Sequence, residues 1–511
     1  MSPLARRFEA PALAALGALQ TLAFVAGAAW ALPVATLAIL VWRLNAADSA
    51  RRAAWLGWCY GTAWLCAGVW WLFISMHRYG GLPAWLAALA VLALAGFLSL
   101  YLAAACALYQ RLRSRRAGLD AACFAALWLL AELARGLLLT GFPWVASGYS
   151  QVDGPLAGLA PWVGVYGIGA MLAFVAAVFG NLAEIMPGRR WFSSAALVLV
   201  VGGSAALGTL SFTQPTGALT VTLLQTNVAQ DEKFAVDRMP EALQWTASQL
   251  LASRTELIVA PETAVPLLPD QLAEFAPGYW QALQRRFAES AQAALVGVPL
   301  GDFERGYTNS VAGLSAAAAR LPGGQYRYDK AHLVPFGEFL PHGFRWFTEM
   351  MHIPLGDFGR GVARPPSFTF GAQRLAPNIC YEDLFGEELA RRFAEPASAP
   401  TVFVNISNIG WFGETIAVAQ HLQISRLRTL ELQRPMLRAT NTGATVVIDH
   451  RGRVTASLAP FTRGVLKAPV EGRQGLTPFA AWAGRLGLWP PLLLALAVVA
   501  YAVRRAGGRR P

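Results

Sequence analysis

The sequence predicts a polytopic α-helical membrane bundle of about eight spans with a separate α/β domain inserted between the seventh and eighth. Three observations predict it. Of 511 residues, 55% are hydrophobic and only 14% charged, and the mean hydropathy is +0.41, outside the range of soluble globular chains. Long uncharged runs fill the N-terminal part and recur once near the C-terminus. Between them, from Gly217 onward, short β-rich runs alternate with helical stretches.

A bilayer core of about 30 Å needs roughly 20 apolar residues per helix. Runs of that kind cover Ala10–Trp42, Ala53–Met76, Tyr79–Gln110, Gly154–Ala183, Trp191–Gln230 and Leu486–Val503, and Leu119–Leu139 is apolar apart from Glu132 and Arg135. Those two lie three apart and can pair on one helical face. As one helix, Ala10–Trp42 would reach about 50 Å, too long for a single span, so two short spans with a hairpin near Ala28–Pro33 are expected. That hairpin puts Arg6/Arg7, Arg43/Arg51/Arg52, Arg111/Arg113/Arg115/Arg116, Arg189/Arg190 and Arg504/Arg505/Arg509/Arg510 on one side, the cytoplasmic side by the positive-inside rule. The other loops carry little more than His77, Arg78 and Asp153. Both termini then lie inside, and the segment from about Pro215 to Gly475 lies outside. The N-terminal stretch imitates a cleavable signal peptide, but it runs directly into further spans and reads as an uncleaved insertion signal. The expected domains are 1–214 (seven spans), 215–475 (outer domain) and 476–511 (last span and cytoplasmic tail).

The formal charge of +12 sits largely between apolar runs, so topology explains it and no nucleic-acid partner is expected. Among 42 basic residues only Lys233, Lys330 and Lys467 are lysines. Cys59, Cys66, Cys106 and Cys123 lie in apolar runs, and Cys380 alone lies in the polar half. With no CxxC pair or Cys/His cluster, no metal, cofactor or disulfide framework is indicated.

In the outer domain the runs "ALTVTLLQT", "TELIVAP", "AALVGVP", "NSVAGL", "QRLAPNI", "TVFVNIS", "ATVVIDH" and "GVLKAPV" read as strands, most of them buried on both faces. Tyr279–Ala294 and Ile416–Arg434 have helical spacing. In α/β folds chemistry collects beyond the carboxyl ends of strands. There Glu262 follows "LIVAP", Lys330 follows "QYRYD" and Cys380 follows "LAPNI". A thiol is the strongest intrinsic nucleophile available, a carboxylate near a cation can take its proton, and a compact ammonium can approach the oxyanion. The last point explains a lysine at 330 in an arginine-rich chain.

Around these residues, "APETAVP", "YDKAHLVPFGEFLP" and "NICYEDLF" resemble the nitrilase (carbon–nitrogen hydrolase) superfamily, with its Glu–Lys–Cys triad. With the flanking spans, and with "GFPWVASGYSQ" (Gly141–Gln151) and "NISNIGWFGETIAVAQHLQISRLRTLELQRPMLRATNTG" (Asn405–Gly443), nearly the whole chain resembles the apolipoprotein N-acyltransferase family within it. The resemblance implies a nitrilase-like α-β-β-α sandwich on the periplasmic side of a bacterial inner membrane. It also implies ping-pong acyl transfer from a phospholipid, typically phosphatidylethanolamine, through a Cys380 thioester to the α-amino group of a diacylated apolipoprotein. Glu262 is then the general base, and Lys330 with the Tyr381 N–H stabilises the oxyanion. Glu338 orients the lysine, and Glu382 braces the nucleophile turn. Where the family often has Trp after an Asn and Gln, "QTNVAQDEKF" places Phe234. Phe234, Trp411 and Phe412 are candidate substrate contacts, and Trp144 and Tyr149 suit an interface element shaping the lipid cleft. Asp383 has no assigned role. The rival readings are a membrane-tethered amidase using water as acceptor, a non-enzymatic lipoprotein-binding homologue, and a transporter.

Overall fold

The computed structural model describes residues 3–182, 187–341, 343 and 358–507. Arg509 and Arg510 of the expected basic tail lie outside them. The chain forms two compact units: residues 1–73, 83–210 and 486–511, and residues 74–82 and 211–485.

The first unit is helical: α1 (Pro3–Leu19), α2 (Leu32–Asn45), α3 (Ala50–Val69), α4 (Ala84–Leu112), α5 (Ala117–Leu137), α6 (Ala160–Gly180), α7 (Pro187–Leu207) and the C-terminal helix Trp489–Gly507. The run Ala10–Trp42 divides in two as expected. Its turn begins earlier, however, with 3-10 turns at Gln20–Phe24 and Gly27–Ala29. This leaves α1 short, and its Glu9 pairs with Arg43 and Arg52 at 2.6 and 2.5 Å. Among the described residues, five helical stretches can cross a membrane by length and composition: Gly27–Asn45, Ala84–Leu112, Ala117–Thr140, Pro155–Gly180 and Trp489–Gly507. A sixth arises if Ala50–Val69 and Leu72–Tyr79, bent by 61°, form one span. The apolar run from Trp191 overshoots its helix, because the chain from Thr213 is already a strand.

Glu132 and Arg135 are buried and 3.6 Å apart, as their spacing predicts. Each does more than neutralise the other. Glu132 accepts from the Ser147 N–H (2.7 Å) and hydroxyl (3.0 Å), while Arg135 donates to the carbonyls of Phe142 (3.1 Å) and Trp144 (2.6 Å). The irregular backbone of 141–151 is thus tied to α5, which is how non-helical backbone persists among apolar helices.

The second unit stacks two six-stranded sheets. One has the order β12-β1-β2-β3-β4-β5 and the other β11-β10-β9-β8-β7-β6. The strands are β1 (Thr213–Gln225), β2 (Leu257–Val259), β3 (Ala293–Asp302), β4 (Gly306–Leu314), β5 (Tyr326–Asp329), β6 (Phe368–Phe370), β7 (Gln373–Ile379), β8 (Val402–Ser407), β9 (Met436–Thr440), β10 (Val446–Ile448), β11 (Val454–Ser457) and β12 (Gly464–Gly475). Each sheet is parallel at its centre, β1-β2-β3 in one and β7-β8-β9 in the other, and antiparallel toward its edges.

The period-2 geometry of strands divides the core. Val221, Leu223, Leu257, Val259 and Leu295 point between the sheets, against Leu375, Val402, Val404 and Leu437. The alternate residues Leu224, Ile258, Ala294 and Val296 face the other way, onto α8 (Met239–Ala252), α9 (Pro269–Phe275) and α10 (Tyr279–Ala288). Helix α10 ends six residues before the expected Ala294, because the run there is β3. The two remaining helices of interest are α11 (Gly386–Ala390) and α12 (Ala417–Leu432), the latter within the expected Ile416–Arg434.

Candidate active site

Glu262, Lys330 and Cys380 come together beyond the ends of β2, β5 and β7. Close approach of backbone makes the first corner. A Cβ on Gly297 of β3 would lie 2.2 Å from the Pro261 carbonyl oxygen and 2.8 Å from the Glu262 Cα, so only glycine lets β3 pass beneath this turn. Thr263 and Cys380, on either side of the site, have φ of +50° and +51°. Non-glycine residues in the left-handed region cost of order 1–3 kcal/mol each and persist where surrounding structure enforces them.

The Glu262 carboxylate is held by groups the sequence reading did not single out. Its Oε1 accepts from Asn309 Nδ2 at 2.7 Å, and its Oε2 accepts from the Asn408 backbone N–H at 2.6 Å. The same Asn309 nitrogen donates to Glu338 Oε1 at 2.8 Å, so one amide bridges two carboxylates. Between them lies Lys330, whose Nζ is 3.6 Å from Glu262 and 2.9 Å from Glu338 Oε2. Glu338 also accepts from the Val334 N–H at 2.8 Å. Burial opposes the charge on Lys330, but Glu338 and Glu262 more than offset it and hold the ammonium above the ordinary lysine value. Burial pushes the Cys380 thiol up to about 12, and Glu262 adds to the effect. Cys380 is therefore held as a thiol, and a thiol needs a base before it can act as a nucleophile.

Glu382 ties the lysine loop to the cysteine turn. Its Oε1 accepts from the N–H groups of Ala331 (2.8 Å) and His332 (3.2 Å), and its Oε2 from the Tyr328 hydroxyl and the Ile379 N–H, both at 2.6 Å. Tyr381 is buried and packs edge-on against Phe385, on which His332 stacks at 3.5 Å. Lys233, flagged only by its rarity, is buried below Glu262. It donates to the Glu262 carbonyl at 3.0 Å and to the Thr263 hydroxyl at 3.1 Å. Asn309 sits in β4 between Thr308 and Ser310, so no lone polar residue marked it in the sequence.

The candidate substrate contacts are more dispersed. Phe234, next to Lys233, is 53% exposed. Trp411 and Phe412 lie half-buried on the turn Ile409–Phe412, and Trp411 meets Tyr79 edge-on at 5.5 Å. Tyr79 belongs to the segment Ile74–Leu82, which folds with the second unit and is further held by Arg78 and Asp231 at 3.0 Å. Trp144 and Tyr149 are buried inside the first unit, Trp144 against Trp71 with ring centroids 4.8 Å apart.

A two-sheet α/β unit with a buried glutamate and lysine beside a cysteine defines a carbon–nitrogen hydrolase domain, and residues 220–475 match the carbon–nitrogen hydrolase family model. A solved carbon–nitrogen hydrolase from Helicobacter pylori G27 aligns over 54% of this chain and 94% of its own, at 16% identity and a TM-score of 0.36. Residues 16–178 match the model of the apolipoprotein N-acyltransferase N-terminal domain. The chain is 54% identical to an apolipoprotein N-acyltransferase of Verminephrobacter eiseniae (90% of this chain and 89% of the relative covered). It is 46% identical to one of Ralstonia nicotianae, covering 99% and 96%. The chain belongs to the apolipoprotein N-acyltransferase family, a family of membrane-associated acyltransferases.

Proposed function

We propose that this enzyme moves an acyl chain from a membrane phospholipid, phosphatidylethanolamine being the expected donor, to the N-terminal amine of a diacylglyceryl-cysteine apolipoprotein. In the first half-reaction Glu262 takes the Cys380 proton and the thiolate attacks the ester carbonyl. The oxyanion is met by Lys330 and the Tyr381 N–H. Collapse breaks the ester C–O bond, Glu262 returns its proton to the departing alkoxide, and a lysophospholipid leaves behind a thioester. In the second, the lipoprotein amine gives a proton to Glu262 and attacks the thioester; the amide forms and the thiol is regenerated with that proton. Phe234, Trp411 and Phe412 contact the lipid chains, while Trp144 and Tyr149 act from within the membrane unit by holding its 141–151 segment in shape.

The single observation that carries this reading is the Glu262 carboxylate, fixed by Asn309 and the Asn408 N–H beside the Lys330 ammonium, at the strand ends where Cys380 also stands. For topology we take α1, the α3 span and α7 as spans alongside the five stretches named above. This makes eight, with both termini cytoplasmic, boundaries near residues 214 and 475, and the catalytic domain on the periplasmic side of the inner membrane. The basic clusters support this arrangement through the positive-inside rule.

The test is mass spectrometry of the purified protein after incubation with phosphatidylethanolamine. One hydroxylamine-labile acyl adduct on the Cys380 peptide is expected, absent in Cys380→Ala and discharged by a diacylated lipopeptide. Discharge by water at the same rate without lipopeptide would favour a membrane-tethered amidase, and no adduct would sink the mechanism.

A further inference from the structure

Behind the nucleophile lies a chain of fully buried polar groups that the mechanism does not use. The Cys380 carbonyl oxygen is 3.2 Å from His421 Nε2. On the other side of that ring, Nδ1 is 2.8 Å from an Arg438 guanidinium nitrogen. A guanidinium only donates, so Nδ1 is the acceptor and Nε2 carries the hydrogen. The tautomer is therefore set by Arg438, and His421 donates to the Cys380 carbonyl. Burial and the Arg438 charge keep the ring neutral. Arg438 is itself placed by Ser425 Oγ at 2.5 Å and by the Asp383 carboxylate at 3.6 Å, and Asp383 accepts from the Ser425 hydroxyl.

The carbonyl of Cys380 and the N–H of Tyr381 belong to one planar, trans peptide, so they point in opposite directions and fixing one fixes the other. A hydrogen bond to the oxygen also polarises the amide and makes its N–H a stronger donor. We infer that His421 is a positioning residue of the oxyanion hole. From behind, it aims and polarises the Tyr381 N–H, while Arg438 and Asp383 fix its tautomer. The inference rests on the reading of Cys380 as the nucleophile acylated by an ester. It gives Asp383 a task, that of holding Arg438.

Attack on an ester passes through an oxyanion; displacement of iodide from iodoacetamide does not. The test compares the two at Cys380, by peptide mass spectrometry, for the full-length protein and its His421→Leu variant. Acylation from phosphatidylethanolamine vesicles is expected to slow by about 10- to 100-fold, below the 10²–10³ seen when an oxyanion donor is deleted outright. Alkylation is expected to change by less than about 3-fold, far below the effect of losing the donor. His421→Gln, which keeps an acceptor for Arg438 and a donor for Cys380, should recover part of the acylation rate. If His421→Leu does not accumulate, His421→Asn serves instead, since it can accept from Arg438 but falls short of Cys380. Parallel loss of acylation and alkylation, or no loss of acylation, overturns the inference alone. An unsubstituted protein that forms no Cys380 adduct overturns the nucleophile assignment and the inference with it.

Discussion

The Lys330 ammonium lies 2.9 Å from the Glu338 carboxylate, and the lysine side chain is 1% exposed. Glu338 thereby fixes where the ammonium sits, 3.6 Å from Glu262. In Glu338→Gln that anchor is lost and Lys330 can close on Glu262. Thioester formation is expected to fall by about 10²-fold or more, the scale of a lost general-base contribution. The melting temperature should also drop, by an amount corresponding to no more than about 3 kcal/mol, because Glu262 still pairs the lysine. Acylation kinetics with a thermal melt in detergent would check both.

Glu262→Gln keeps one oxygen to accept from the Asn408 N–H, but loses the acceptor for Asn309 Nδ2 and with it the proposed base. Adduct formation at Cys380 is expected to fall by about 10²–10⁴-fold at neutral pH. Raising the pH should restore part of the rate, because a thiol pushed up to about 12 then ionises without help. A rate that stays flat with pH in this variant would argue against Glu262 as the proton acceptor.

Gly297→Ala tests the backbone corner. The new methyl would fall 2.2 Å from the Pro261 oxygen, so the Glu262 turn must shift. Overpacking of this kind costs typically 1–3 kcal/mol. Activity is expected to suffer more than stability, since the carboxylate moves relative to Lys330. Circular dichroism with an acyl-transfer assay would separate the two effects.

Lys233 makes a prediction about pH. Burial pushes its ammonium down to about 8 from an ordinary value of 10.5. Between those values the unfolded chain binds more protons than the folded one, so this group makes stability rise with pH across that window. Lys233→Met should flatten that rise and raise stability most at neutral pH, unless the lost bonds to Glu262 and Thr263 outweigh the relief. Melting temperatures at several pH values between about 7 and 10 would show it.

Much of the fold could be read from local pattern. "QRLAPNI" coincides with β7, and "TVFVNIS" overlaps β8 to within a residue, because a buried parallel strand is a short apolar run bounded by polar turns. The strands "MLRAT" and "VTAS" went unrecognised, the first because an arginine interrupts it, the second because it is an exposed edge. Arg438 is tolerated there only because Asp383, Ser425 and His421 surround it in space. No one-dimensional pattern carries that compensation.

The sequence by itself determined that this is a membrane protein with a two-faced α/β domain, and that Glu262, Lys330 and Cys380 stand at strand ends. Composition, apolar run length and strand punctuation are local properties, and residue chemistry narrows what such a trio can do. Only the tertiary structure decided what holds those residues. Asn309 bridges two carboxylates, Asn408 offers a backbone N–H, Lys233 braces a strained turn, and Arg438 chooses the tautomer of His421. These partners are 29 to 146 residues apart along the chain, or 17 in the case of Arg438 and His421. Asn408 reaches Glu262 because the two sheets stack, and the others meet because neighbouring strands and helices of one sheet layer bring them together, so hydrogen bonding is decided by three-dimensional register rather than by sequence spacing.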